Sequence, residues 1–209
     1  MEITITRTIF KAAQHAMATK DIRYYLNGVC LRLSRNANKV LEGQAYSTDG
    51  HMAFLCDFEV IDERRGSDPA PDFLEMLIPI DVVKHVAKGK LGFVTLTSLD
   101  KDKYIIDDMA FTPIDGQFPD ISRIVPTTKA LTNEPAQFNP NLLVRADKAL
   151  RAWFEMGRTQ FPTLYHSGNN AALLCGLGDS AICVVMPMRE DKEISPISFT
   201  VTSRKKEQV

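Results

Sequence analysis

The sequence predicts an α+β fold of three successive β-α-β-β-β units, with short helices packed on one face of antiparallel sheets. An amphipathic stretch at helical spacing recurs near residues 8–17, 80–87 and 140–153, and three strand-like runs follow each one. Proline-bearing connectors at 62–72 and 115–135 separate the repeats.

The first unit opens with Glu2-Ile3-Thr4-Ile5, which alternates as a strand does. Ile9, Ala13, Ala16 and Met17 then mark one helical face. Arg23–Leu33, Val40–Ser47 and His51–Phe58 read as strands, the last two joined by Asp49-Gly50, residues that tolerate the positive φ of a tight turn.

The second unit runs from the strand-like Glu75-Met76-Leu77-Ile78-Pro79 into a helix over Ile80–Ala87 that Gly89 ends. Gly92–Ser98, Lys103–Asp107 and Met109–Ile114 supply its strands, with Asp100 and Lys101 in a turn. The third unit begins with Ala136-Gln137-Phe138. Its helix has Pro140 near the start and Leu142, Leu143, Ala146, Leu150 and Trp153 on one face. Thr163–His166, Ala171–Cys175 and Ala181–Met186 are its strands.

The connector Asp115–Pro135 is long for a link inside a compact domain, so it marks a crossing between domains. The expected organisation is a domain over 1–126 with units at 1–60 and 73–126, a connector at 127–134, a half-domain at 135–189 and an extension at 190–209. That extension ends in Arg204-Lys205-Lys206-Glu207.

Composition bounds the function. The chain has 209 residues, 44% of them hydrophobic, enough for a substantial core. Its 25 Lys and Arg against 26 Asp and Glu exclude a protein basic all over, so any nucleic-acid contact must come from a local face. Cys30, Cys56, Cys175 and Cys183 lack C-x-x-C spacing and sit in apolar runs, which reads as buried free thiols in a reducing cytoplasm. The N-terminus does not read as a signal peptide, and no apolar run approaches a membrane span.

Four blocks are distinctive: Asp21-Ile22-Arg23-Tyr24-Tyr25-Leu26-Asn27-Gly28, Ser47-Thr48-Asp49-Gly50-His51, Asp115-Gly116-Gln117-Phe118-Pro119-Asp120 and Val184-Val185-Met186-Pro187-Met188-Arg189. In that order they resemble the bacterial sliding clamp family, the DNA polymerase III beta subunit. Residues 1–126 resemble its middle domain and 135–189 the second half of its last domain, so the resemblance is to a shortened, DNA-clamp-like form.

The resemblance implies a groove that docks short apolar and aromatic peptides from DNA polymerase or repair proteins. Its walls would be Leu26, Thr48, Gly50, His51, Met52, Ala53 and Pro126, with Val184, Val185, Met186, Pro187, Met188 and Arg189 opposite. Methionines suit a surface that accepts varied side chains. Met52 and Ala53 stand where the family has arginine and leucine, and Glu190 replaces an apolar final residue, so partner preference is expected to differ.

The family also holds double-stranded DNA against its helices without reading sequence. The corresponding candidates are Lys20, Arg23, Tyr24 and Tyr25 in a loop, Lys84 and Lys88 on the second helix, and Lys148 and Arg151 on the third. Neither a phosphate-binding Gly-rich loop nor a G-x-S-x-G elbow is present, and the histidines lack zinc spacing. The expectation is a cytoplasmic, non-enzymatic DNA replication or repair factor without cofactor or metal, acting as a homo-oligomer. The rival readings are a non-encircling adaptor that sequesters clamp partners and a subunit of a mixed assembly with a host clamp.

Overall fold

The structure, a computed structural model, describes residues 1–64, 71–127, 136–166 and 171–188. The first unit contains β1 (Glu2–Thr6), α1 (Thr8–Ala13), β2 (Gly28–Arg35), β3 (Leu41–Thr48) and β4 (Met52–Glu59). After β5 (Asp62–Arg64), the second contains β6 (Phe73–Pro79), α2 (Ile80–Ala87), β7 (Phe93–Asp100), β8 (Lys103–Ile106) and β9 (Met109–Phe111). The third contains α3 (Pro140–Phe154), β10 (Thr163–Tyr165), β11 (Ala172–Cys175) and β12 (Ala181–Val185).

The units exchange strands. β1 leaves its own unit and pairs antiparallel with β7, while β6 pairs antiparallel with β2. This produces a five-stranded sheet in the order β5-β1-β7-β8-β9 and a seven-stranded sheet in the order β10-β11-β12-β4-β3-β2-β6. The third unit joins through β12, which pairs with β4 so that Val184 faces Ala53 and Ile182 faces Leu55.

Strand alternation divides each sheet. On β1, Ile3 and Ile5 are fully buried against Leu96 and Val94, while the threonines between them turn outward. On β4, Met52, Phe54, Cys56 and Phe58 join the main core, where Phe54 meets Trp153 of α3 edge to face at 6.3 Å. All three helices contribute to that core, and α1 packs between α2 and α3.

Arg7 ties the two first units together. Only 3% exposed, it donates to the carbonyls of Val86 (2.7 Å), Leu91 (2.6 Å) and Phe93 (3.2 Å) and binds both carboxylate oxygens of Asp107. The guanidinium thus satisfies the Val86 carbonyl in the last turn of α2, as cations do at helix C-termini, and two carbonyls of the segment that follows.

Three expectations need correction. The run Arg23–Leu33 is not one strand, because Tyr24–Leu26 is a 3-10 turn and β2 begins at Gly28. Asn27 causes this: its side chain accepts from Asp21 N (2.9 Å) and donates to Asp21 O (2.8 Å), an alternative to a strand ladder. Ala136–Phe138 forms no strand; Gln137 O accepts a bond from Met188 N (2.8 Å). The stretch after Asp62 is not all connector, since β5 pairs with β1. The hairpin at Asp49-Gly50 forms with Gly50 at φ 88°, and Asp49 caps it from His51 N and Met52 N at 2.8 and 2.9 Å.

Candidate functional site

The outward face of the seven-stranded sheet carries a second apolar cluster. Leu26, Cys30, Ala53, Leu77, Phe118 and Ile121 are buried there, with Tyr25, Tyr46, Leu55, Ile114 and Ile124 partly covered. The connector after β9 creates it. Phe118 and Ile121, 3% and 6% exposed, press onto the sheet, and Asp120 caps the short 3-10 turn Ile121–Ile124 by accepting from Ser122 N (3.2 Å).

Where the connector stops covering the sheet, a cavity of about 540 Å³ opens over β3, β4 and β12. Leu55, Ile182 and Ile121 provide apolar lining, with Tyr46, Pro119 and Val125 around them and Asp57, Asp120 and Asp179 at polar positions. Tyr46 is held under Arg32, whose guanidinium lies 5.0 Å from the ring centre, and its hydroxyl donates to Gln44. Gln44 in turn donates to Asp57 at 2.7 Å, and Arg32 pairs with Glu75 at 2.5 Å. Burial raises the Tyr46 hydroxyl above its ordinary pKa, so the ring stays neutral. The result is an apolar trough with fixed polar groups, suited to a peptide side chain and its flanking backbone.

The opposite, helix-bearing side gathers cations. Lys20 and Lys148 line a cleft of about 470 Å³ together with His15, Arg145, Asp21 and Asp49. Arg145 donates to His15 O (2.9 Å) and to Asp49 (2.5 Å), fastening α3 to the end of α1 and to the β3–β4 turn. Burial, then the charges of Lys148 and Arg145, lowers the His15 pKa, leaving a neutral imidazole among fixed cations.

No family model matches the chain. It is similar to the beta sliding clamps of Pseudomonas putida (30% identity over 139 residues, 60% of this chain and 33% of the relative) and Escherichia coli (25% over 125 residues, 57% and 31%). The crystal structure of the DNA polymerase III subunit beta from Pseudomonas aeruginosa matches with a TM-score of 0.63 at 20% identity, covering 91% of this chain and 67% of that one. The chain is thus similar in sequence to bacterial beta sliding clamps over part of their length and shares their fold. A DnaN sliding clamp from Pseudomonas aeruginosa bound to griselimycin has the same fold, with a TM-score of 0.61 at 19% identity over 91% of this chain and 66% of that one. The chain spans about a third of the length of the curated clamps it matches.

Against that clamp-like fold, the expected groove residues divide. Leu26, Ala53 and Val184 are buried, the first two in the cluster beneath the connector. Met52 and Val185 lie in the main core on the helix side, because they are out of phase with Ala53 and Val184 along paired strands. Thr48 is buried and donates to Met52 O (2.7 Å), a turn-forming role. Gly50, His51 and Met188 are exposed, Met186, Pro187 and Pro126 half-buried, and Met186 N donates to His51 O (2.8 Å). Arg189 lies outside the described residues.

The cavity's own lining, Tyr46, Leu55, Pro119, Ile121, Val125 and Ile182, escaped the sequence reading. Two signals pointed to it: the Phe118-Pro119 pair in a recognisable block, and Leu55 and Ile182 in phase with Ala53 and Val184.

Of the expected DNA contacts, Lys20, Lys84, Lys88 and Lys148 are exposed. Arg23 and Arg151 are engaged by carboxylates: Arg23 grips Asp21 at 2.7 and 2.9 Å, and Arg151 holds Asp147 at 2.8 Å while stacking over Phe161. The Arg23 bonds hold the Asp21 carboxyl down at about 2. Tyr24 is 58% exposed while Tyr25 packs into the outward cluster, a division made by the 3-10 turn. Among the described residues, no group of three or more potential ligands is placed to hold a metal ion, and no helix is long and apolar enough to cross a membrane.

Proposed function

We propose that this chain is a clamp-like processivity or recruitment factor of DNA replication or repair that acts by binding rather than catalysis. Partner proteins dock short apolar peptides on the outward face of the seven-stranded sheet, from His51 and Met186 to the trough at Leu55 and Ile182. Duplex DNA lies against the helix layer through Lys20, Lys84, Lys88 and Lys148. The observation that carries this reading is the trough itself, an apolar cavity at the β4–β12 seam in a fold shared with sliding clamps. Self-association would use the edge of β9, which has no second strand partner among the described residues, whereas β4 and β12, the last strands of the other two units, pair with one another.

The test is fluorescence anisotropy with a labelled peptide carrying aliphatic and aromatic anchors. Leu55→Asp and Ile182→Asp should each weaken binding at least about tenfold by placing a charge against the apolar contact, and Met186→Ala and His51→Ala by less. Leu99→Ser on the five-stranded sheet should change nothing. Equal affinity in all five proteins would remove the groove.

A second reading, an adaptor that keeps the groove without encircling DNA, is favoured by the carboxylates that occupy Arg23 and Arg151. Retention on circular but not linear DNA selects the ring; absence of DNA affinity selects the adaptor.

A further inference from the structure

The trough is apolar at one end and acidic at the other. Along β3 and β4 its outward positions pair across the strands as Tyr46 with Leu55, Gln44 with Asp57 and Glu42 with Glu59. Each two-residue step covers about 7 Å, so the lining passes from an aromatic and aliphatic pair to an acidic pair within about 14 Å. A second cavity of about 800 Å³ shares Gln44, Asp57 and Ser180 with the trough and adds Glu42, Glu59 and Trp153 to the lining. Asp179, also exposed, lines the trough itself.

The charge on this face is held by neutral partners. Asp57 accepts from Gln44 Nε2 at 2.7 Å and Glu42 from Asn36 Nδ2 at 2.6 Å, bonds that orient the carboxylates without neutralising them. Arg32, the cation in the trough lining, is engaged by Glu75 at 2.5 Å. Glu42 and Glu59 stand directly opposite one another, an arrangement that costs a sheet stability and that a bound cation would relieve.

We propose that the peptide docked in the trough carries a basic residue, lysine or arginine, one or two positions from the apolar anchor that meets Leu55 and Ile182, and that Asp57, Glu42 and Glu59 select it. This preference rests on the trough being a peptide site. Apolar contact supplies most of the affinity, and the carboxylates supply discrimination, because an acidic residue at that position would meet like charge. The aliphatic stem of the basic residue would pack on Trp153, whose indole N–H donates to Ser180 Oγ at 3.0 Å, while its charged end stays in water beside the carboxylates.

Fluorescence anisotropy on the full chain tests this, with labelled peptides that share aliphatic and aromatic anchors and carry lysine, glutamine or glutamate beside them. At low salt the lysine peptide should bind about fivefold more tightly than the glutamine peptide, the scale of a well-placed exposed ion pair, and the glutamate peptide should bind most weakly. Added salt should compress these ratios. In Asp57→Asn combined with Glu59→Gln the ratios should approach one, and Asp57→Lys should invert the order. Glu42→Gln with Glu59→Gln, which removes a like-charge pair, serves if the Asp57 variants do not fold. Equal affinity of the wild type for all of the peptides, with Ile182→Asp weakening each, overturns the charge preference and leaves the trough in place. Affinities that Ile182→Asp does not change remove the trough and the preference with it. A lysine preference that survives the Asp57 and Glu59 substitutions also overturns the proposal, assigning the basic residue to another surface.

Discussion

The two faces of β4 and β12 differ by a single step in strand phase, and that step separates the packed core from the proposed docking trough. Toward the helices, Met52, Phe54, Cys56, Cys183 and Val185 are buried in the main core, with Phe54 against Trp153. Away from them, Ala53 lies beneath the connector, while Leu55 and Ile182 line an open trough. The same backbone ladder supports both, so its rigidity on one side holds the wall of the trough on the other.

Substitutions on the core side carry the largest expected effect. Phe54→Ala should destabilise the protein by about 3–5 kcal/mol, the range for removing a buried aromatic ring, read by denaturant unfolding through Trp153. Unchanged stability would mean that the helix-facing row is not the core. The outward variants Leu55→Asp and Ile182→Asp should instead lose peptide affinity with a smaller change in midpoint.

A smaller effect concerns the cationic cleft beside α1. Lys148→Ala should lower the salt dependence of DNA binding by about one unit of slope, the loss of one phosphate contact. It should also raise the His15 pKa by removing a neighbouring charge, visible in an NMR titration. Because the folded-state pKa of His15 is depressed, its contribution to stability is complete above the ordinary value of 6.5 and is lost as pH falls below it. His15→Gln should therefore flatten stability against pH in that acid range.

The smallest expected signal is chemical. Burial pushes the Cys30 thiol up to about 12 and raises Cys56 and Cys183 well above their ordinary value. Burial raises the Cys175 thiol as well, but Cys175 is only partly buried and stays within reach of solvent. Alkylation of the native chain at pH 8 should thus label Cys175 first, and rapid labelling of Cys183 would contradict a packed β4–β12 seam.

Local pattern carried much of the fold. Helical spacing set α2 at Ile80–Ala87 and placed the start of α3 at Pro140, and alternation located most strands of the three units, though it missed β5 and the strand expected at Ala136–Phe138 does not form. The Tyr24–Leu26 turn was not legible, because it depends on side-chain bonds between Asp21 and Asn27 that strand-like composition conceals. Of the residues expected to line a groove, His51 is exposed and Met186 half-buried, whereas Met52 and Val185 turn inward because a run of apolar residues does not reveal strand phase.

By itself, then, the sequence determined the repeat, the helices and the Asp49-Gly50 hairpin, since each rests on residues close together in the chain, and four short local blocks carried the resemblance to sliding clamps. Only the tertiary structure decided that β1 and β6 exchange sheets, that Phe118 and Ile121 cover one part of a sheet face and leave Leu55 and Ile182 open, and that Arg7 reaches Asp107. These outcomes depend on which distant surfaces bury one another, and burial is a property of the assembled layers that no local pattern contains.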